Sequence, residues 1–221
     1  MLFRDIFYLK DHNNDGLTVF IGNFDDYSES ETHYLCEQEK LKAFKISNSK
    51  AKKRYIASLV FLRRALGIML KIKYYKGKIL KGKFGKPFIK NEKVNIHFNL
   101  SHTKDIIAIV FSFFRPVGID IEKRNRAVSR NISNYVFNND EIDFILSREN
   151  WVDCYLHGWI KKEAILKCIG CGINGDVTNI NVPLNNESNI AYGYIESEKE
   201  ISIWHLIPIN YGRYIIGMIA V

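Results

Sequence analysis

Residues 117–123 read VGIDIEK. Side chains alternate along a strand, so Val117, Ile119 and Ile121 share one face while Gly118, Asp120 and Glu122 share the other. One face is ready for burial, and the other sets two carboxylates side by side. An alternating strand with a solvated outer face accounts for this pattern. Two oxygen ligands for a hard cation such as Mg²⁺ account for it too, with the small Gly118 leaving room for something to approach. The strand follows Pro116 and opens a second run of elements that repeats the order of the first.

In the first run a strand at 17–21 precedes helical segments. The longest covers 48–70, with Tyr55, Leu59, Leu62, Leu66 and Met69 at helical spacing, and strands at 95–100 and 106–113 follow. In the second run the strand 117–122 precedes helices near 129–136 and 139–148, a long helix at about 150–169, and strands near 190–196, 201–207 and 213–220. The pattern predicts an α+β fold of two similar, pseudo-symmetric lobes, each a small, mostly antiparallel sheet packed on helices. The lobes are expected over 1–115 and 116–221, forming one compact unit with a site between them.

The chain of 221 residues is 47% hydrophobic, enough for a sizeable core, and its formal net charge of +8 points to anionic partners. Its longest apolar-rich run, 106–114, is too short to span a bilayer, and Arg4, Asp5 and Lys10 interrupt the apolar start. A cytoplasmic protein with no membrane association is expected. Scattered Cys36, Cys154, Cys168 and Cys171 read as reduced thiols and not as a disulfide framework. Positive charge concentrates between Lys71 and Lys90, a stretch without an acid and interleaved with Tyr74, Tyr75 and Phe84. A solvated basic face explains most of it. A nucleic-acid-binding module is the rival from another class, though no recognisable nucleic-acid motif accompanies the charge.

On the helix 150–169, Leu156, Ile160, Ala164 and Cys168 form an apolar row, and Trp159, Glu163 and Lys167 form the row beside it, at the rim of the buried face. A helix-stabilising pair explains Glu163 and Lys167 if they are taken alone. The GxGxxG match at 170–175 follows a helix where a dinucleotide site must follow a strand, and the Cys168, Cys171 pair lacks a zinc or redox context. Gly170 or Gly172 as a helix C-cap explains that segment better. At 98–105, FNLSHTKD places Ser101 and His102 in a turn between strands without a nucleophile elbow, and GKP at 85–87 is a turn.

Taken together and in order, GKP (85–87), FNLSH (98–102), VGIDIEK (117–123) and WIKKEAILK (159–167) resemble the motifs of the 4′-phosphopantetheinyl transferases, of the larger two-lobed kind that activates peptide synthetases. The resemblance implies transfer of the phosphopantetheine arm of coenzyme A to a serine of an apo acyl or peptidyl carrier protein, with release of adenosine 3′,5′-bisphosphate. It implies Mg²⁺ on Asp120 and Glu122, with Glu163 as a further ligand or the general base and Lys167 beside the reacting phosphate. It also implies that Ser101 and His102 meet the phosphates of coenzyme A, Lys86 and Pro87 its adenosine, and Arg54 and Lys42 its 3′-phosphate. Three positions before Lys42, where some members carry a second basic residue, stands Glu39. A monomer is expected, with neither nucleic acid nor membrane as partner; a Mg²⁺-dependent nucleotide phosphohydrolase using the same acids is the other alternative.

Overall fold

Every residue of the strand Ile106–Ser112 is buried, which marks it as a strand covered on both faces. The computed structural model describes residues 3–11, 13–90, 93–130, 134–171, 177–185, 188–195, 199–213 and 215–221. In it β1 (Phe3–Lys10), β2 (Gly16–Asn23), β5 (His97–His102) and β6 (Ile106–Ser112) form an antiparallel sheet in the order β1-β2-β6-β5. A second antiparallel sheet has the order β7-β11-β10-β9-β8. Its strands are β7 (Gly118–Lys123), β8 (Ile180–Asn181), β9 (Ile190–Ile195), β10 (Glu200–Tyr211) and β11 (Ile215–Ala220). A two-stranded hairpin joins β3 (Leu80–Lys81) to β4 (Pro87–Phe88). The chain is α+β, as the pattern predicts.

Each sheet carries one long helix. Asn48 caps α2 (Ser49–Met69) by accepting the Ala51 N–H at 2.9 Å. Ala57, Val60, Phe61 and Leu66 of α2 pack on Phe20, Phe98, Ile107 and Phe111 of the first sheet. The buried face is therefore centred beside the predicted stripe: Leu62 and Leu66 are buried, but Leu59 and Met69 only partly so. The second helix, α4 (Trp151–Ile169), lays Leu156, Ile160, Ala164 and Cys168 on Ala191, Trp204, Ile216 and Met218 of the second sheet. Gly170, at φ 81°, caps it in the left-handed conformation and donates its N–H to Leu166 O. Gly172, the other candidate cap, lies outside the described residues, as does most of the GxGxxG segment.

Between the sheets lies a third apolar layer. Leu17, Val19, Ile21, Ile106, Ala108 and Val110 meet Val117, Ile119, Ile121, Ile215, Ile219 and Val221. The order through the molecule is α2, first sheet, second sheet, α4. The aliphatic face of β7 supplies the contact between the sheets, and its acidic face looks toward α4. A Cβ built on Gly118 would lie 2.0 Å from Ala164 O and 2.3 Å from Cys168 N. What approaches Gly118 is the α4 backbone.

One expectation is corrected, and one element had no expectation. Of the helix expected near 129–136, residues 129–130 and 134–136 are turns and irregular chain and 131–133 lie outside the described residues; regular helix begins with α3 (Asn139–Leu146) behind the Asn138 cap. The start of the chain, read from sequence only for its lack of a membrane segment, forms the edge strand β1. Both faces of its central residues are exposed, so it carries no alternating signature. A buried ion pair secures α3 to α4: Lys162 Nζ donates to Glu141 Oε2 at 2.6 Å with side-chain exposures of 0% and 9%. The same carboxylate oxygen accepts the Asn138 N–H at the start of α3.

Candidate active site

The edge of β7 decides the site. Its Ile119 and Ile121 N–H groups point away from β11 and would be orphaned, yet no backbone strand pairs with them. Side chains of β5 satisfy them: Ile119 N–H donates to Asn99 Oδ1 at 3.1 Å, and Ile121 N–H donates to Ser101 Oγ at 3.3 Å. Ser101 in turn donates its hydroxyl hydrogen to Asp120 Oδ1 at 2.7 Å. From α4, Lys167 Nζ reaches the same Asp120 oxygen at 2.6 Å and Ser101 Oγ at 3.1 Å. A knot of three side chains thus joins β5, β7 and α4.

An open cleft of about 370 Å³ lies over this knot, lined by Leu100, Ser101, His102, Asp120, Ile121, Glu122, Arg126, Trp159, Glu163 and Lys167. Six residues expected at a site from sequence converge here: Ser101, His102, Asp120, Glu122, Glu163 and Lys167. Their spacing follows from local structure. Asp120 and Glu122 share a strand face, and Trp159, Glu163 and Lys167 rise at four-residue steps along the rim of α4. Glu163 and Lys167 do not form the simple helical pair considered above, since the lysine is spent on Asp120 and Ser101.

Charge in the cleft is unevenly matched. Burial pushes the Asp120 carboxyl up, and Lys167 and the Ser101 hydroxyl pull it back. Burial also raises Glu163, opposed by Lys167 and reinforced by Asp120, and no hydrogen-bond donor among the described residues reaches its carboxylate. Glu122 is held differently: Oε1 accepts the Lys123 N–H at 3.1 Å, and Oε2 accepts Arg126 at 2.5 Å. The His102 ring lies edge-on to Phe24 with centroids 5.9 Å apart. Burial, with Lys167 and Arg54 nearby, lowers its pKa, so it is neutral at pH 7.

The remaining expected residues stand apart from this cleft. Arg54, on α2, does not line it, although its charge is felt at His102 and Asp105. Lys42, on α1 (Glu37–Phe44), is exposed with its Nζ 5.5 Å from the Tyr55 ring centre. Glu39 on the same helix is taken up in the fold: it caps the Cys36 N–H and pairs with the buried Arg63 at 2.8 Å. Lys86 and Pro87 line a second cavity of about 220 Å³ with Phe88, Ile96, Phe98 and Gly170. The Lys86 amine itself donates to Cys168 O at 2.7 Å and Val117 O at 3.1 Å, so it ties the β3–β4 hairpin to the end of α4. Desolvation there lowers its pKa.

Two participants were missed. Asn99 lies within the quoted FNLSH, and its parity with Ser101 along a strand is the signal that both face one neighbour. Arg126 lies beyond the strand in irregular chain, where no periodicity brings it back to Glu122.

Oxygen donors from Asp120, Glu122 and Glu163 suit a hard divalent cation, and burial, which raises the pKa of Asp120 and Glu163, leaves those two in need of positive charge. Among the described residues no group of three His, Cys, Asp or Glu side chains stands in ready-made ligand geometry. The ion pairs of Asp120 with Lys167 and of Glu122 with Arg126 explain this, since side-chain cations hold both carboxylates. The donors fit Mg²⁺ in chemistry, provided these pairs open.

Edge acids of an antiparallel sheet thus face a long helix across a cleft with a basic and hydroxyl rim. Residues 116–219 match the family model of the 4′-phosphopantetheinyl transferase superfamily. It is 32% identical over 120 residues to an L-aminoadipate-semialdehyde dehydrogenase-phosphopantetheinyl transferase of Candida glabrata, a match covering 48% of this chain and 46% of that protein. A 4′-phosphopantetheinyl transferase of Bacillus subtilis is 30% identical over 49% of this chain and 48% of its own length. The chain thus spans about half the length of these relatives. The transferase AcpT of Escherichia coli is 29% identical over 66% of this chain and 72% of its own.

Proposed function

We propose that this protein is a Mg²⁺-dependent 4′-phosphopantetheinyl transferase of the two-lobed kind, with lobes 1–115 and 116–221. Its reaction moves the phosphopantetheine arm of coenzyme A onto a carrier-protein serine and releases adenosine 3′,5′-bisphosphate. The observation that carries this reading is the convergence, in one cleft, of Asp120 and Glu122 with Glu163 and Lys167 beside Ser101 and His102. The names of the relatives support it.

In this reading Asp120 and Glu122 hold the cation, which supplies charge neutralisation to the pyrophosphate when bound. Serine Oγ forms a bond to the phosphorus that carries the pantetheine arm, and the bond from that phosphorus to the bridging oxygen breaks, leaving adenosine 3′,5′-bisphosphate. The serine proton goes to Glu163. A carboxylate without a hydrogen-bond donor and with a pKa raised by burial is a better base than an ordinary glutamate. Serving as a metal ligand would lower its basicity, so the lack of a donor among the described residues favours the base role. Lys167, already 2.6 Å from Asp120, neutralises charge on a neighbouring phosphate oxygen. Neutral His102 donates an N–H to a phosphate. Ser101 has one hydroxyl hydrogen, given to Asp120, and accepts both Ile121 N–H and Lys167. It acts here as a positioning residue that aims Asp120, more than as a phosphate contact.

The test is to incubate the protein with coenzyme A, MgCl₂ and a panel of apo carrier proteins and to weigh the carriers by intact mass spectrometry. A carrier heavier by one phosphopantetheine is expected. Release of free phosphopantetheine to water with no carrier modified would favour a phosphohydrolase instead. Salt-sensitive binding to DNA or RNA without turnover would favour the nucleic-acid module.

A further inference from the structure

Arg126 has no part in the chemistry above, yet it stands at the mouth of the cleft. Its guanidinium donates to Glu122 Oε2 at 2.5 Å, and its central carbon lies 5.2 Å from the Trp159 ring centre. Trp159 belongs to the rim row of α4, so the arginine bridges the end of β7 to that helix across the cleft. Its charge also reaches Glu163. With Oε1 of Glu122 turned to the Lys123 N–H, both oxygens of this carboxylate are engaged while Arg126 stays in place.

We propose that Arg126 is a removable counter-ion of the metal site, closing Glu122 while the cleft is empty and leaving it when a divalent cation binds. This rests on the reading of Asp120 and Glu122 as metal ligands. A guanidinium and a dication held at the same carboxylate repel each other, so the two compete for Glu122. The competition is mild. The side chains of Arg126 and Glu122 are 38% and 20% exposed, and a half-exposed ion pair with one ring contact is a weak clamp that a dication can open. Once displaced, the guanidinium lies over Trp159 beside the cleft without an anionic partner. A pyrophosphate entering the cleft supplies one, in the fork geometry that suits arginine. Metal and anionic co-substrate are thereby coupled: each makes room or provides a partner that favours the other. Toward the metal Arg126 is a positioning residue acting through Glu122, and toward the pyrophosphate it is a binding residue.

The experiment measures Mn²⁺ affinity by calorimetry, with and without coenzyme A, for the wild-type protein, Arg126→Gln and Arg126→Lys. In the absence of coenzyme A, Arg126→Gln should bind Mn²⁺ about three- to ten-fold more tightly than wild type, the gain expected from removing a weak competitor. Coenzyme A should tighten Mn²⁺ binding by the wild-type protein, and that enhancement should shrink in Arg126→Gln. Arg126→Lys keeps the charge but not the flat ring contact and should fall between. The variant is read for fold by circular dichroism, and its exposed position gives no reason for it to unfold. Unchanged or weaker Mn²⁺ binding by Arg126→Gln, with wild type binding normally, would overturn the counter-ion proposal alone. If neither protein bound Mn²⁺ even with coenzyme A, the assignment of Asp120 and Glu122 as ligands would fail with it.

Discussion

Glu163 carries a cost in the folded chain that its proposed role as general base would explain. Burial raises its pKa, so the folded state binds that proton more tightly than the unfolded state does, and ionising the carboxyl at neutral pH opposes folding. Stability from this group is fully present below the ordinary glutamate pKa, about 4.3, and is lost as pH rises through the elevated folded value. Glu163→Gln should therefore raise the melting temperature at pH 7 in metal-free buffer, and the gain should vanish as pH falls toward 4. The same variant should cut turnover by about 10²–10⁴-fold with coenzyme A binding nearly intact. Calorimetric melting across pH and steady-state kinetics check the two halves. Rescue of turnover by excess Mg²⁺ would make Glu163 a ligand instead of a base. In the wild-type protein, the acid limb of the rate profile should lie above the ordinary glutamate range, because the base must be ionised to work.

Among the elements, the junction of β7 and α4 positions everything else. Gly118 has no Cβ to offer because the backbone of Ala164 and Cys168 fills that space, which brings α4 close enough for Lys167 to reach Asp120. Gly118→Ala should push helix and strand apart, since the obstruction is main chain and not the end of a flexible side chain. A loss of about 1–3 kcal/mol is expected from such overpacking, with a larger proportional loss of activity because the donors separate. Urea denaturation and the transfer assay measure the two effects. Full activity at unchanged stability would show that the close approach is not needed. This junction was half legible beforehand. The alternation in VGIDIEK and the four-residue rows of WIKKEAILK put the right side chains on shared faces, because strand and helix periods are local properties. What was not legible is the partner of each face: the acids look toward α4, and the apolar layer between the sheets takes the aliphatic face.

Across the whole molecule, the sequence-legible parts are those with strong local periodicity: α2, α4, β6 and the three strands near the C-terminus. Edge strand β1, exposed on both sides, and the irregular chain at 124–130 lacked such a signal. Long-range ties were hidden for a different reason. Asn99 and Ser101 on the β7 edge, Lys86 on the end of α4 and Arg126 on Glu122 depend on which surfaces the packed sheets bring together. None of the described helices is long and apolar enough to cross a membrane, and none of the four cysteines is in a disulfide. The central claim is that the cleft over β5, β7 and α4 is where cation and coenzyme A meet. Crystals grown with coenzyme A and Mn²⁺ in place of Mg²⁺ test it directly through the anomalous scattering of manganese. One strong peak is predicted within bonding distance of Asp120 and Glu122, with pyrophosphate oxygens of coenzyme A completing its shell. A manganese peak elsewhere, with Lys167 still on Asp120 and Arg126 still on Glu122, would contradict it.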